Sequence, residues 1–252
     1  MSNELAAARR RIEALTNELA LARTALEDFT FSVSHDLRAP LRHVTSYLKI
    51  IREDLGEALQ PDIAAHLQTA SDAAALIGRQ IDGLLLLSRL GRVELEWSQV
   101  DLARLVTEVC GQLAPALDGR RVAWRIAPDL PLIAGDMALL GQMLGHLLGN
   151  ACKFTAARES ARIDVTWHAV DACWGELVIT DNGAGFDPRF QDRLFRVFQR
   201  LHSNRQFEGL GIGLAFARLV AERHGGTIQA QGAVDSGCCV TLRLPLVPPA
   251  SQ

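Results

Sequence analysis

Val33-Ser34-His35-Asp36-Leu37-Arg38-Ala39-Pro40-Leu41 is the stretch on which the fold turns. An apolar track runs into it: Leu5, Ile12, Leu19 and Leu26 recur at seven-residue intervals, and Val33 is the next member. Ala8, Leu15, Ala22 and Phe29 make a second track. Together they form a seam of period 3.5, the signature of a two-stranded coiled coil. A single amphipathic helix lying on its own domain is the other reading. No Gly or Pro falls between residues 4 and 30, so one helix is expected to run through His35. Pro40 is expected to bend it, because proline removes a helix hydrogen bond.

The apolar pattern resumes at Leu41, Val44, Tyr47, Leu48 and Ile51, and Gly56 and Pro61 mark a turn. A second helix is expected from about Asp62 to Leu90, with Ile63, Leu67, Ala70, Ala74, Ile77, Ile81, Leu84 and Leu85 as its stripe. Two antiparallel helices cannot enclose a core, but two copies of the hairpin make a four-helix bundle. His35 lies two positions past a seam residue and should face solvent. An exposed imidazole is a competent nucleophile toward a phosphoryl group. Asp36 beside it can hold or deprotonate the ring. Taken alone, such a pair is also an ordinary surface feature.

Beyond Gly91 the character changes. Val93–Trp97 alternates like a strand, and Asp101 can cap a helix through about Leu117. Arg121–Ile126 reads as a strand, and Asp136 caps a helix to about Lys153. Ile163–Val170 and Glu176–Thr180 read as strands, Gly211–Arg223 as a helix, and Thr227–Gln231 with Cys239–Leu244 as a closing hairpin. This order suggests a mixed sheet covered by helices on one face. The tail 248–252 is expected to fray.

Composition narrows the function. The net charge of -3 gives no basic surface for nucleic acid. The five cysteines show no Cys-x-x-Cys spacing and fit reduced cytosolic thiols. No apolar run reaches the roughly 18 residues that span a bilayer, and the start lacks a secretion signal. A cytoplasmic location is expected.

Three further clusters carry chemistry. His146, Asn150 and Lys153 share one helix face. An amide oxygen beside an ammonium suits a magnesium-bound polyphosphate, although a solvated polar face would look the same. Asp181-Asn-Gly183-Ala-Gly185-Phe186 follows a strand. Its glycines let backbone pass close to a planar ligand, and its carboxylate can accept a bond from an adenine amino group; Asp-Gly loops are also common turns. Gly209-Leu-Gly211-Ile-Gly213-Leu214-Ala opens a helix, where backbone N–H groups attract phosphate.

In this order the pieces resemble the histidine kinase family over about residues 29–245. Phe31–Leu41 is similar to its H box, His146–Phe154 to its N box, and Asp181–Phe186 to its first glycine box. Phe195–Phe198 is similar to its F box and Gly209–Ala215 to its second glycine box. The wording around His35 and in Phe198-Gln-Arg-Leu-His202 is most similar to phytochrome-type kinases.

The resemblance implies a coiled-coil signalling helix over residues 1–28, then a dimerisation and histidine phosphotransfer domain over 29–92. It implies an α/β sandwich ATP-binding domain over 93–247. His35 would accept phosphate with Asp36 beside it, and Asn150 would bind Mg2+. Lys153, Gly211 and Gly213 would hold phosphates. Asp181 would read adenine with Phe154 packed near it. Gly183, Gly185, Gly209 and Leu214 complete the implied nucleotide site. Residues 199–209, with Arg200, His202 and Arg205, would be the lid over ATP. The implied partners are a second copy of the chain, a response-regulator receiver, and an upstream sensor or partner acting through residues 1–30.

Two positions depart from the family. His146 stands where its kinases usually have Asn, which suggests weaker or pH-dependent ATP use. Ala39 stands where many members carry the Thr or Asn used to remove phosphate, which suggests low phosphatase activity. A dimeric scaffold or regulator-binding pseudokinase is the alternative that His146 keeps open. A motor-type ATPase of the gyrase kind would need an acid at position 146.

Overall fold

The computed structural model describes residues 2–117, 119–202 and 206–247. The chain divides into two compact units, Met1–Val93 and Glu94–Gln252.

In the first unit, α1 spans Ser2–Leu55 as one 54-residue helix. It is not broken at Pro40, which stands inside it. Leu41, the next residue, lies against the open side of Gly78, where an added Cβ would come within 3.4 Å of Leu41 Cδ2. That packing against the second helix supports the helix across its missing hydrogen bond. The turn contains Gly56 at φ +42. Helix α2, Pro61–Arg92, starts on Pro61, whose fixed φ and absent N–H suit a first helical position.

The two helices are antiparallel, as two cross-links show. Arg38 bonds Asp82 at 2.7 Å, and Arg92 bonds Asp28 at 2.6 Å. The Arg92 guanidinium also lies 5.6 Å from the centre of the Phe31 ring. Ser34, Ala74, Ile81, Leu85 and Leu90 are buried in the unit. Much of the predicted stripe is not: Val44, Tyr47, Ile51, Ile63 and Ile77 remain exposed, as do Ile12, Leu15, Leu19, Leu26 and Phe29 along the seam. The side chains at residues 2–9, including seam positions Leu5 and Ala8, lie outside those described.

The second unit opens with β1, Trp97–Asp101. The strand expected at Val93–Trp97 is therefore four residues late. Val93 instead closes α2, its N–H donating to the Arg89 carbonyl at 3.2 Å. Asp101 caps α3, Leu102–Leu113, through a bond from the Arg104 N–H at 3.0 Å. Helix α3 stops short of Leu117, and residues 114–117 wind into a tighter 3-10 turn around Pro115, which has no N–H to give.

Strand β2 is Val122–Ile126, and β3, Leu132–Asp136, pairs antiparallel with β1. Nothing in the sequence marked β3; it is five residues long and enters from Pro131. Asp136 caps α4, Met137–Phe154, accepting from the Leu139 N–H at 3.0 Å. Strands β4, Ala161–Ala169, and β5, Trp174–Asp181, form a hairpin. A short 3-10 helix over Pro188–Arg193 was not expected either. Helix α5 spans Gly213–Arg223 rather than starting at Gly211, whose φ of +73 is not helical. Strands β6, Thr227–Gly232, and β7, Cys238–Pro245, close the sheet.

The main sheet runs in the order β2-β4-β5-β7-β6. Only the β2–β4 pair is parallel, so the sheet is mixed. Burial alternates along β4 and β5, with Ile163, Val165, Leu177 and Ile179 inward. The helices cover that face, with Leu140, Met143, Leu144 and Leu148 of α4 and Phe216 and Val220 of α5 fully enclosed. His224, just past α5, is buried with them. Its Nδ1–H donates to the Val220 carbonyl at 2.8 Å, and its Nε2 accepts the Asp136 N–H at 3.0 Å. This fixes a neutral tautomer and ties α5 to the start of α4.

Candidate functional site

In the first unit the imidazole of His35 is 68% exposed on α1. Its Nδ1 lies 3.2 Å from Asp36 Oδ1. A carboxylate accepts only, so Nδ1 is the donor, and in the neutral ring the lone pair then stands on Nε2. Buried Ser34 and the Arg38–Asp82 bond flank His35 and fix the helix face it stands on.

In the second unit a cavity of about 470 Å³ opens between α4, the end of β5 and the 199–213 segment. His146, Asn150, Lys153 and Phe154 line it from α4. Asp181 and Gly185 line it from β5 and the loop after it. Arg200, Gly209, Gly211, Gly213 and Leu214 line it from the other side. Gly183 is the exception among the expected residues. It packs instead beneath the end of α4, where a Cβ would meet the Phe154 carbonyl at 2.7 Å.

The polar groups of the cavity are strained toward neutrality by burial. Burial pushes the Asp181 carboxyl up, against bonds from the Gly183 and Cys238 N–H groups that pull it down. The Gly183 bond is 2.7 Å. Burial, and then Arg200, lower the Lys153 ammonium, which sits 4.4 Å from the centre of the Phe154 ring. Burial also lowers His146, whose ring meets Phe216 edge-on at 4.9 Å. Two basic side chains, Lys153 and Arg200, line the cavity against one carboxylate, Asp181. That is the electrostatics of an anion site.

Sequence reasoning missed two contributors, Phe207 and Cys238. Phe207 joins Phe154 and His202 in a triangle of rings with centres 4.9–5.3 Å apart. The His202 Nε2–H donates to the Gly185 carbonyl at 2.9 Å, and Arg200 bonds the Phe207 carbonyl. Cys238 also lines the cavity, opposite Asp181 in the β5–β7 register, and burial raises its thiol to about 12. Only the pairing of β5 with β7 places Cys238 there, and that pairing is long-range. Residues 203–205 of the expected lid, with Arg205, lie outside those described.

The first unit thus presents an exposed imidazole on a helical hairpin, and the second an apolar-walled cavity with a carboxylate at a strand end and a glycine-rich helix start. Residues 25–92 match the His Kinase A (phospho-acceptor) domain, and residues 135–248 match the histidine kinase-, DNA gyrase B-, and HSP90-like ATPase family. The chain belongs to the sensor histidine kinase family.

Cyanobacterial phytochrome B of Nostoc sp. is 30% identical over 88% of this chain and 30% of its own length. Sensor histidine kinase TrcS of Mycobacterium tuberculosis is 32% identical over 88% of this chain and 44% of its own length. The chain spans about a third of the length of the first curated relatives it matches. Among solved structures, the mycobacterial sensor histidine kinase MprB overlays with a TM-score of 0.51 at 26% identity, over 60% of this chain and 99% of that one. Full-length ShkA in complex with AMPPNP overlays at 0.62 with 24% identity, over 89% of this chain and 47% of that one, which speaks for the fold. Among the described residues no helix is long and apolar enough to cross a membrane.

Proposed function

We propose that this chain uses ATP to phosphorylate His35 and passes the phosphoryl group to a response-regulator aspartate. The observation that carries it is the pairing of an exposed His35 on one unit with a cavity on the other that gathers Asp181, Asn150 and Lys153. The base would lie against Phe154 with its amino group on Asp181. The phosphates would run toward Lys153 and the N–H groups at Gly211, Gly213 and Leu214, where no side chain caps α5.

The donor set fits Mg2+ held largely by the nucleotide. Among the described residues no three His, Cys, Asp or Glu side chains converge on a metal. Asn150 supplies one amide oxygen; phosphate and water oxygens would supply the others, and the ion would offset phosphate charge. His35 Nε2 would attack the γ-phosphorus, forming the P–N bond as the bond to the β–γ bridging oxygen breaks and ADP leaves. Asp36 would hold the Nδ1–H and balance the positive ring.

Residues 29–92 would pair with a second copy, which would cover the exposed Val44, Tyr47, Ile51, Ile63 and Ile77. Residues 1–28 would carry the input of an upstream sensor, residues 93–247 would be the catalytic part, and the chain would work in the cytoplasm. Ala39, without a hydroxyl or amide to place water, would leave phosphatase activity low.

The test is incubation with γ-labelled ATP, on wild type and on His35→Ala. Acid-labile, alkali-stable label on wild type alone is expected. Nucleotide binding without label on either protein would sink the kinase reading. The scaffold reading rests on His146, half-buried where the family usually has Asn. It would be favoured by an absence of nucleotide binding that His146→Asn restores.

A further inference from the structure

Arg158 lies one turn past the end of α4, its N–H bonded to the Thr155 carbonyl at 3.0 Å. Its guanidinium grips three backbone carbonyls. Nε–H donates to Asn182 O at 2.8 Å, and Nη2 donates to Gly183 O at 2.9 Å and to Asp235 O at 2.8 Å. These carbonyls come from two segments, the loop after β5 and the β6–β7 turn. Three carbonyl dipoles converging on one point repel each other unless a cation stands between them. A planar fork with fixed N–H directions satisfies them as a rotating ammonium cannot.

We infer that Arg158 is a positioning residue for base recognition, acting on Asp181 through a single peptide plane. The inference rests on the reading of Asp181 as the residue that recognises adenine. The Asn182 carbonyl and the Gly183 N–H belong to the same planar, trans peptide, so they point in opposite directions. Arg158 holds the oxygen end, and the N–H end donates to Asp181 Oδ1 at 2.7 Å. Rotating that plane would lose both bonds together. With the plane held, one carboxylate oxygen of Asp181 is committed and the side chain keeps one orientation.

The rest of the loop has its own supports. The Ala184 N–H donates to Phe154 O at 3.1 Å, and the Asp235 N–H donates to Ala184 O at 2.8 Å. Asn182 also pairs with the edge of β4, accepting from the Arg162 N–H at 2.9 Å and donating to Ser160 O at 2.8 Å. Removing Arg158 therefore leaves the loop in place and frees the aim of the peptide. The consequence falls on discrimination between bases, more than on the existence of the cavity.

The experiment measures ATP and GTP affinity of the full chain by calorimetry for wild type, Arg158→Gln, Arg158→Lys and Asp181→Asn, with Tm recorded for each. For both Arg158 variants, ATP affinity is expected to fall about tenfold, roughly 1.4 kcal/mol, while GTP affinity changes little. The preference for ATP then shrinks. Arg158→Lys keeps the charge and the aliphatic stem, and serves if Arg158→Gln does not fold. A lowered Tm with the ATP:GTP preference intact would make Arg158 a structural clamp only and overturn the inference. The Asp181→Asn arm separates the two readings. If it abolishes the preference and the Arg158 variants keep it, the Arg158 inference alone fails. If it keeps the preference, the base-reading role of Asp181 fails and that of Arg158 with it.

Discussion

The Phe198 N–H donates to the Gly211 carbonyl at 2.9 Å, and both residues hold positive φ, 61° and 73°. This bond lies beside the cavity, which Gln199, Arg200 and Gly211 line. Phe198 is one of only two non-glycine residues with positive φ among those described. Such backbone is costly for a side chain with a Cβ and persists where the surroundings hold it.

Gly211→Ala is expected to disrupt that bond. An added Cβ would meet the Gln199 carbonyl at 2.7 Å, and the left-handed backbone itself costs an alanine about 1–2 kcal/mol. ATP affinity should drop by at least tenfold, read by calorimetry. Gly145→Ala on α4, where a Cβ meets nothing within 4 Å, is the control and should bind as wild type does.

Phe207→Ala should loosen the same segment from the cavity side. Ring pairs contribute about 0.5–1.5 kcal/mol each beyond their buried area, and Phe207 takes part in two. Faster hydrogen exchange across residues 199–202 and 206–210 is expected, with the Tm of the second unit nearly unchanged because its core lies under α4 and α5. Equal exchange in the variant would mean that the ring triangle does not hold the loop.

His224 should make the second unit acid-sensitive. Burial holds its imidazole below the ordinary value of 6.5, against the upward pull of the Val220 carbonyl and Asp136. A lowered folded value means that stability is full above pH 6.5. It is lost as pH falls from there toward the folded value, because the unfolded chain takes the proton first. A protonated Nε2 would also face the Asp136 N–H, donor against donor. The Tm should fall between pH 7 and pH 5.5. His224→Gln does not titrate and should flatten that slope, leaving the part that His146, also lowered by burial, contributes, although it starts from a lower Tm at pH 7.

Leu19→Glu combined with Leu26→Glu should weaken the proposed dimer, read as a shift toward monomer in sedimentation equilibrium. Both side chains are exposed on α1, Leu19 at 72% and Leu26 at 66%, and both belong to the seven-residue track. A carboxylate at a seam position must be desolvated against its symmetry mate. Ala14→Glu with Asn17→Glu, exposed and away from the seam, should leave the oligomeric state unaltered.

Much of this architecture was legible because short-range patterns set it. The unbroken run of α1 through His35 and the caps at Asp101 and Asp136 are each decided within a few residues, and α2 and α4 begin and end within two residues of their expected bounds. What escaped depends on distant partners. Strand β3 is a strand because β1 lies beside it, with Trp97 opposite Asp136 and Asp101 opposite Leu132. The alternation that suggested a strand at Val93–Trp97 had no partner there. At the site, the residues of local motifs were found, and all but Gly183 of the expected ATP-site residues line the cavity. Phe207, Cys238 and Arg158 carry no local signature. Their positions follow from loop closure and from the pairing of β5 with β7.

The length of α1 bears on how a signal reaches the imidazole. At about 1.5 Å per residue, its 54 residues make a rod of roughly 80 Å with no joint between the seam and His35. In an unbroken helix the azimuth of each residue follows from its position in the chain. Adding one residue near position 24 would turn everything upstream by about 100° against His35, whereas adding seven would bring the phase nearly back. An upstream input acting on the far end, as proposed, would therefore set the compass bearing of the imidazole through the phase of the helix.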